Sequence, residues 1–139
     1  MAAPTYARNL RDASFTKTGL LSNAATAAHS ASLDLGQTAV QSLEQLEFEI
    51  AVPATATLVN AKVMTLTIEE SADNSTFAAV DPLISTTITG TAGNLSAAKT
   101  VRFRLPSQTK RYVRVKAITS ADGGDNSAAA NTYTLSALF

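Results

Sequence analysis

Apolar and polar residues alternate with a period of two along much of the chain, which is the pattern of strands with one buried and one solvated face. The clearest case is 46–52, where apolar residues alternate with Glu47 and Glu49 before Pro53 ends the run. Similar alternation predicts further strands at 64–69, 101–105, 111–117 and 131–139. Shorter runs predict weaker strands at 31–35, 54–58, 77–80 and 84–89.

Turn-forming residues separate these runs, most clearly at 71–75 and 121–126. Segment 22–30 is rich in alanine but has no amphipathic face, so we expect at most one helical turn there. Eight or so short strands without crossover helices predict an all-β, antiparallel β-sandwich or barrel.

The first 20 residues follow a different pattern, with isolated apolar residues at no fixed period. Such a segment is a frayed terminus in an isolated domain, or an arm that docks on a neighbour in an assembly. We assign 1–20 to an extended N-terminal arm that is dispensable for folding, and 21–139 to the sandwich domain. The candidate contact residues of the arm are Tyr6, Arg8, Leu10, Arg11 and Phe15.

The composition points to a slim core and a surface that is partly covered by partners. Ala, Ser and Thr account for 58 of the 139 residues, and charged residues for only 16%, against about 25% in an ordinary domain. A formal net charge of zero argues against nucleic-acid binding by bulk electrostatics. The absence of cysteine excludes disulfides and thiolate sites.

No segment has the pattern of a membrane span or an export signal. The longest stretch without charge, 82–98, is rich in Thr, Ser and Gly, whereas a spanning helix needs about 20 apolar residues. We therefore expect an intracellular product, or one released from a cell by lysis, that does not bind a membrane.

The candidate catalytic residues each have a simpler interpretation. A Ser-His-Asp triad would have to include His29, for which no partner is evident. Glu47 and Glu49 share a strand face, but glycoside hydrolysis also needs a substrate cleft, so a solvated strand face is favoured. Segment 122–126 lacks the spaced oxygen ligands of a calcium loop and predicts a hairpin turn instead. We expect no enzyme, no metal and no cofactor.

Seven of the eleven basic residues lie between Lys99 and Lys116, and no acidic residue lies between Asp81 and Asp122. If 101–105 and 111–117 pair as a hairpin, their outward cations share one face and need compensation. The compensating group is the chain's own glutamates, an acidic partner or phosphate, with an intramolecular or intersubunit match favoured. The residues proposed for an intersubunit match are Arg102, Arg104, Arg114, Lys116, Glu47 and Glu49.

Four local patterns occur in order along the chain: a DLG strand at 32–36, a strand that ends in an S-x-D-x-x-x-F turn at 66–77, then RF-x-LP at 101–106 and RY-x-RV at 110–115. Taken together, this ordered set resembles the capsid cement (decoration) proteins of tailed bacteriophages over about residues 30–138.

The resemblance implies a jelly-roll-like β-sandwich that forms a homotrimer on the outer surface of an icosahedral virion. There it would bridge neighbouring subunits of the major capsid protein and stabilise the shell, with no nucleic acid or small-molecule substrate. Many weak contacts would add over the symmetric shell. The alternative is a virion-surface, adhesin-like module that binds host carbohydrate, which the absence of tryptophan disfavours. A hydrolase that uses the glutamates is the least favoured.

Overall fold

A computed structural model describes residues 11–36 and 46–138, which form an all-β fold of two antiparallel sheets. One sheet has four strands in the order β1-β10-β4-β8, and the other has six strands with β9 and β5 at its centre. The strands are β1 (Arg11–Leu20), β2 (Ala27–His29), β3 (Leu33–Asp34), β4 (Glu47–Val52), β5 (Val63–Ser71), β6 (Ala78–Ala79), β7 (Ser85–Thr89), β8 (Lys99–Phe103), β9 (Tyr112–Thr119) and β10 (Thr132–Leu138).

The order of the strands is that of a jelly roll. The chain passes from β1 in the four-stranded sheet to β2 and β3 in the other, returns in β4, and crosses again to β5, β6 and β7. It then alternates through β8, β9 and β10, so that β1 and β10 lie side by side. Two sheets wound together in this way form a β-sandwich of the jelly-roll type.

The core lies between the sheets and is built from alternate residues of each central strand. In β5 and β9 the buried positions alternate with partly exposed ones, as a pleat with one inner face requires. The inner residues of β4, β5, β9 and β10 are Phe48, Ile50, Val52, Met64, Leu66, Ile68, Val113, Val115, Ala117, Tyr133, Leu135 and Ala137.

The five strands predicted from clear alternation are confirmed, at 47–52, 63–71, 99–103, 112–119 and 132–138. Three weaker predictions are confirmed as short strands β3, β6 and β7. The prediction at 54–58 was wrong, because that segment has a single bridge from Thr55 to Ser96. Segment 22–30 contains no helical turn and forms β2 instead.

The boundary expected at residue 20 differs from the structure. Residues 11–20 form β1, which pairs with β10 from Arg11 opposite Leu138 to Leu20 opposite Thr132. The register shifts between Arg11 and Thr16, and this irregularity obscures the alternation in the sequence. Phe15 packs against the core. This segment therefore belongs to the sandwich.

The hairpin considered for 101–105 and 111–117 was wrong. Strand β8 is at the edge of the four-stranded sheet and pairs with β4, whereas β9 pairs with β5 in the other sheet. Arg102 and Arg114 therefore lie in different sheets. The turn at 121–126 likewise connects strands of opposite sheets rather than a hairpin.

A close approach between the sheets explains a glycine in β1. The hydroxyl of buried Tyr133 donates a hydrogen bond to the Val115 carbonyl across the core. A Cβ at Gly19 would lie 2.4 Å from the Tyr133 Oη and 2.9 Å from the Ser30 Cα. Glycine at this position leaves space for the tyrosine that joins the two layers.

Candidate interaction surface

The outer face of the six-stranded sheet carries a cluster of ion pairs at one end. Alternation in β9 directs Tyr112, Arg114 and Lys116 outward, and the register with β5 places Arg114 opposite Glu69. We define the charge cluster as Asp34, Glu69, Arg111, Arg114 and Lys116, contributed by β3, β5, β9 and the residue before β9.

Glu69 is the centre of the charge cluster and is only 7% exposed. Its Oε2 accepts a hydrogen bond of 2.8 Å from Arg114 Nε, and Lys116 Nζ lies 3.8 Å from its Oε1. The Arg114 guanidinium also stacks over the Phe77 ring, 3.8 Å from its centroid. A nearly buried carboxylate is thus compensated by two cations, one of which is held by an aromatic ring.

Asp34 and Arg111 form the second pair of the cluster and join the end of β3 to the start of β9. Arg111 Nε donates a 2.8 Å hydrogen bond to Asp34 Oδ1, and Arg111 Nη2 donates a second 2.8 Å hydrogen bond to Asp34 Oδ2. This is the bidentate geometry of a guanidinium and a carboxylate. Arg111, aided by the Gly36 amide, lowers the pKa of Asp34 to about 2. The short β3 is therefore held by a side-chain pair in addition to its ladder with β9.

His29 lies beside the charge cluster, with Nε2 3.8 Å from Glu69 Oε2 and with Lys116 directly opposite on β9. Burial is the main cause that lowers the pKa of His29; Arg114 and Lys116 also lower it, whereas Glu69 raises it. The imidazole is thus a neutral neighbour of the cluster near pH 7.

The other end of the same face carries small polar and apolar side chains. Thr65 of β5 lies opposite Thr87 of β7 in the register, and Thr67 lies opposite Ser85. Beside them is a shallow hollow with a volume of about 340 Å³. Ala25, Val63, Thr65, Ile118, Thr119, Ser120 and Ala121 line this hollow, and none of them is charged.

A second group of ion pairs lies on the outer side of the four-stranded sheet. Arg102 Nε is 3.0 Å from Glu49 Oε2, and Arg102 Nη1 is 3.8 Å from Glu47 Oε2. Glu49 is 3% exposed, so the solvated strand face expected for it was wrong. Its neighbours across the ladder, Ser136 and Arg102, shield this position.

The residues predicted for charge matching therefore divide into two separate groups within one chain. Arg102 joins Glu47 and Glu49, whereas Arg114 and Lys116 meet Glu69, which the sequence interpretation did not select. Arg104 is exposed and forms no ion pair with the described residues. These ion pairs therefore form within one chain. The alternation within a single strand could not predict that β5 lies beside β9 with Glu69 opposite Arg114.

The candidate arm residues have different outcomes. Tyr6, Arg8 and Leu10 lie outside the described residues. Arg11 begins β1 in the ladder with β10, and Phe15 packs against the core. Neither therefore belongs to a free arm.

Within 11–36 and 46–138, no group of three or more His, Cys, Asp or Glu residues has a metal-binding arrangement. The same part of the chain contains no helix with the length and apolar character needed to cross a membrane.

The fold and this surface define the class as an all-β jelly-roll protein with its charges paired across its own strands. The chain belongs to the Bbp16 family, a phage and bacterial family whose model matches residues 21–131. The match extends from the start of the β1–β2 loop to the residue before β10. No curated protein matches the chain.

Proposed function

We propose that this protein is a structural protein of a phage virion, a capsid cement protein that binds the outer surface of an icosahedral head. It would act as a homotrimer and bridge subunits of the major capsid protein, so that the expanded shell resists rupture. The proposal includes no catalytic step.

The observation that carries this proposal is where three of the four cement-like sequence patterns lie in the fold. Segments 32–36, 66–77 and 110–115 come together at β3, β5 and β9, and their side chains form the charge cluster. These three patterns thus correspond to a single structural unit that joins three strands, whereas the fourth pattern, 101–106, lies at β8 in the other sheet. Membership of a phage and bacterial family agrees with the same function.

The physical properties of the sandwich suit a protein that holds other proteins together. Its two sheets share a continuous core, and ion pairs laterally connect the strands on both outer faces. A stiff body transmits force between the subunits that it bridges. Low charge on the remaining surface favours close contact with a neighbouring protein, since interface centres are depleted of charge.

Carbohydrate binding receives less support from the surface. Sugar sites commonly present exposed aromatic rings, whereas no aromatic residue lines the hollow. Phe77 is engaged by Arg114, and Tyr112 lies beside Arg111.

Cosedimentation with phage heads tests the proposal. Purified protein is mixed with expanded heads that were assembled without it, and bound protein is separated on a density gradient. We expect saturable binding and a higher temperature of head disruption. Failure of saturating protein to bind intact expanded heads of its own phage would contradict the proposal.

A further inference from the structure

Two edge strands of the sandwich, β7 and β8, differ in whether their outward backbone groups have partners. β8 is the last strand of the four-stranded sheet and, among the described residues, pairs with β4 alone. β7 pairs with β5 at an edge of the six-stranded sheet. An edge strand presents a row of N–H and C=O groups with which another strand can pair.

The hydrogen bonds next to β8 determine which of its backbone groups face outward. Thr55 and Ser96 exchange two main-chain hydrogen bonds, of 3.1 and 2.9 Å, in the register that β4 and β8 continue. Hydrogen-bonded and non-hydrogen-bonded pairs alternate along an antiparallel ladder. Counted in steps of two from Ser96, the residues of β8 that bond to β4 are Thr100 and Arg102. The intervening residues direct their N–H and C=O groups to the free edge, and they are Lys99, Val101 and Phe103.

The same count shows that the edge of β7 is blocked. The Ile68 amide donates a hydrogen bond to the Ile84 carbonyl in the register that β5 and β7 continue, so Thr87 directs its backbone groups outward. Lys99 Nζ donates a 2.7 Å hydrogen bond to this Thr87 carbonyl. Lysine on a sheet edge is a common device against pairing with another strand. Of these two edges, that of β8 is therefore the one open to a partner.

We propose that the free edge of β8 binds an extended segment of a neighbouring virion protein as an added strand, and that this segment is apolar on one face and acidic on the other. The inference deepens the proposed function, on which the identity of the neighbour rests: the major capsid protein would supply the segment. Main-chain hydrogen bonds to Val101 and Phe103 would hold it, as in other cases of β-strand addition.

The side chains of β8 specify the two faces of the added strand. Val101 and Phe103 face inward opposite buried residues of β4, yet both are only half-buried. Apolar side chains of the added strand would cover them and extend the core. Arg104, directly after β8, is exposed and forms no ion pair with the described residues. A carboxylate on the outer face of the added strand would provide its partner.

Charge argues against a second copy of β8 as the occupant. Arg102 and Arg104 are both exposed at this edge, and pairing of two such strands brings like charges together at a cost in stability. The nearby carboxylates of Glu47 and Glu49 belong to β4 and already contact Arg102. A different strand that carries its own acidic residues avoids this repulsion.

Proline substitution at the two edges tests the pairing. Val101→Pro removes an outward N–H, and proline is tolerated where the N–H of an edge strand faces solvent. Thr87→Pro removes the equivalent group of the blocked edge and is the matched control. The probes are expanded heads of the same phage and an array of overlapping peptides from its virion proteins. We expect Val101→Pro to weaken binding about tenfold, through the lost hydrogen bond and the obstructed edge. Thr87→Pro should bind as the wild type does.

Val101→Ala separates the backbone contribution from the side chain. This variant retains the N–H, so its binding should fall less than that of Val101→Pro, and an equal loss would overturn the edge contact. Thermal unfolding of both variants is compared. If Val101→Pro unfolds far below Val101→Ala, the N–H already has a partner within the chain, and the inference is wrong.

Reversal of charge tests the chemistry of the segment. Arg104→Glu should weaken binding about tenfold, whereas Arg104→Lys should retain it. Peptides that bind should alternate apolar and acidic residues. Unchanged binding by Arg104→Glu, or bound peptides without acidic residues, would contradict the proposed partner.

The outcomes separate this inference from the proposed function. Heads that bind Val101→Pro as well as the wild type leave the cement function standing and overturn the edge contact. If heads do not bind the wild type, the cement function fails. In that case, peptides whose binding Val101→Pro removes support the edge contact, and an array without binding peptides overturns it. Wild-type self-association that Val101→Pro abolishes would show a second copy at the edge and would also overturn the inference.

Discussion

Arg114 donates a hydrogen bond of 2.8 Å from Nε to Oε2 of Glu69 across the central β9–β5 ladder. Both residues lie on the outer face of the sheet, yet Glu69 is nearly buried because Arg114, Lys116 and the neighbouring strands surround it. A shielded carboxylate without its main partner retains a large desolvation cost. This ion pair therefore contributes to the stability of the sheet.

Removal of Arg114 should accordingly destabilise the fold. We expect Arg114→Ala to lower the free energy of unfolding by about 2 kcal/mol, since a charged hydrogen bond and its packing on Phe77 are lost. Chemical denaturation measures this change. Arg104→Ala is the control, because Arg104 is exposed and has no ion pair with the described residues; it should change stability by less than about 0.5 kcal/mol. Equal effects of the two substitutions would contradict the assigned importance of the pair.

His29 should titrate below the ordinary value of histidine. Burial and the nearby cations lower its pKa, and Glu69 raises it. Glu69→Gln should therefore lower the pKa of His29 further. Nuclear magnetic resonance of the imidazole measures both shifts, and an upward shift in the variant would refute this electrostatic arrangement.

The same shift fixes the sign of a pH effect on stability. When folding lowers a histidine pKa, the unfolded chain takes up the proton first. The stabilisation is present above about pH 6.5 and is lost as the pH falls through the folded pKa. His29→Gln should reduce the slope of the unfolding free energy against pH over this range. An unaltered slope would show that other titratable groups dominate the pH dependence.

Gly19→Ala should disturb the contact between the sheets. The added methyl group would overlap the Tyr133 hydroxyl and approach Ser30, so we expect a loss of about 1–3 kcal/mol from overpacking. Tyr133→Phe separates this steric effect from the hydrogen bond to Val115, whose loss costs about 1 kcal/mol. Thermal unfolding of both variants checks the difference, and a neutral Gly19→Ala variant would show that the layers are farther apart.

Deletion of residues 1–17 should impair folding. It removes most of β1, including Phe15, and leaves β10 with an exposed edge. We expect a lower unfolding temperature and self-association, measured by calorimetry and solution mass. A truncated chain with the unfolding temperature of the full protein would instead support the arm boundary expected from the sequence.

The central strands could be predicted because one face of each strand is buried and the other is not. The alternation in 111–117, for example, places Val113 and Val115 inside and Arg114 outside, as observed. The irregular pairing of β1 and the three-residue length of β2 leave no such repeat. Those elements depend on the partner strand that their backbone meets.

The charge cluster was predictable only in part. The outward direction of Arg114 and Lys116 follows from alternation, but the choice of Glu69 as their partner depends on the order of strands across the sheet. Asp34 and Arg111 are 77 positions apart in sequence and become a pair because β3 aligns with the start of β9. Asp34 in segment 32–36 and Glu69 in segment 66–77 were the available signal, once both segments were placed beside β9.

Electron cryomicroscopy of heads assembled without this protein, then incubated with the purified chain, tests the cement function most directly. We predict jelly-roll density in groups of three on the outer surface, each spanning a boundary between major capsid protein subunits. Bare heads at saturating protein, or density confined to another part of the virion, would contradict it.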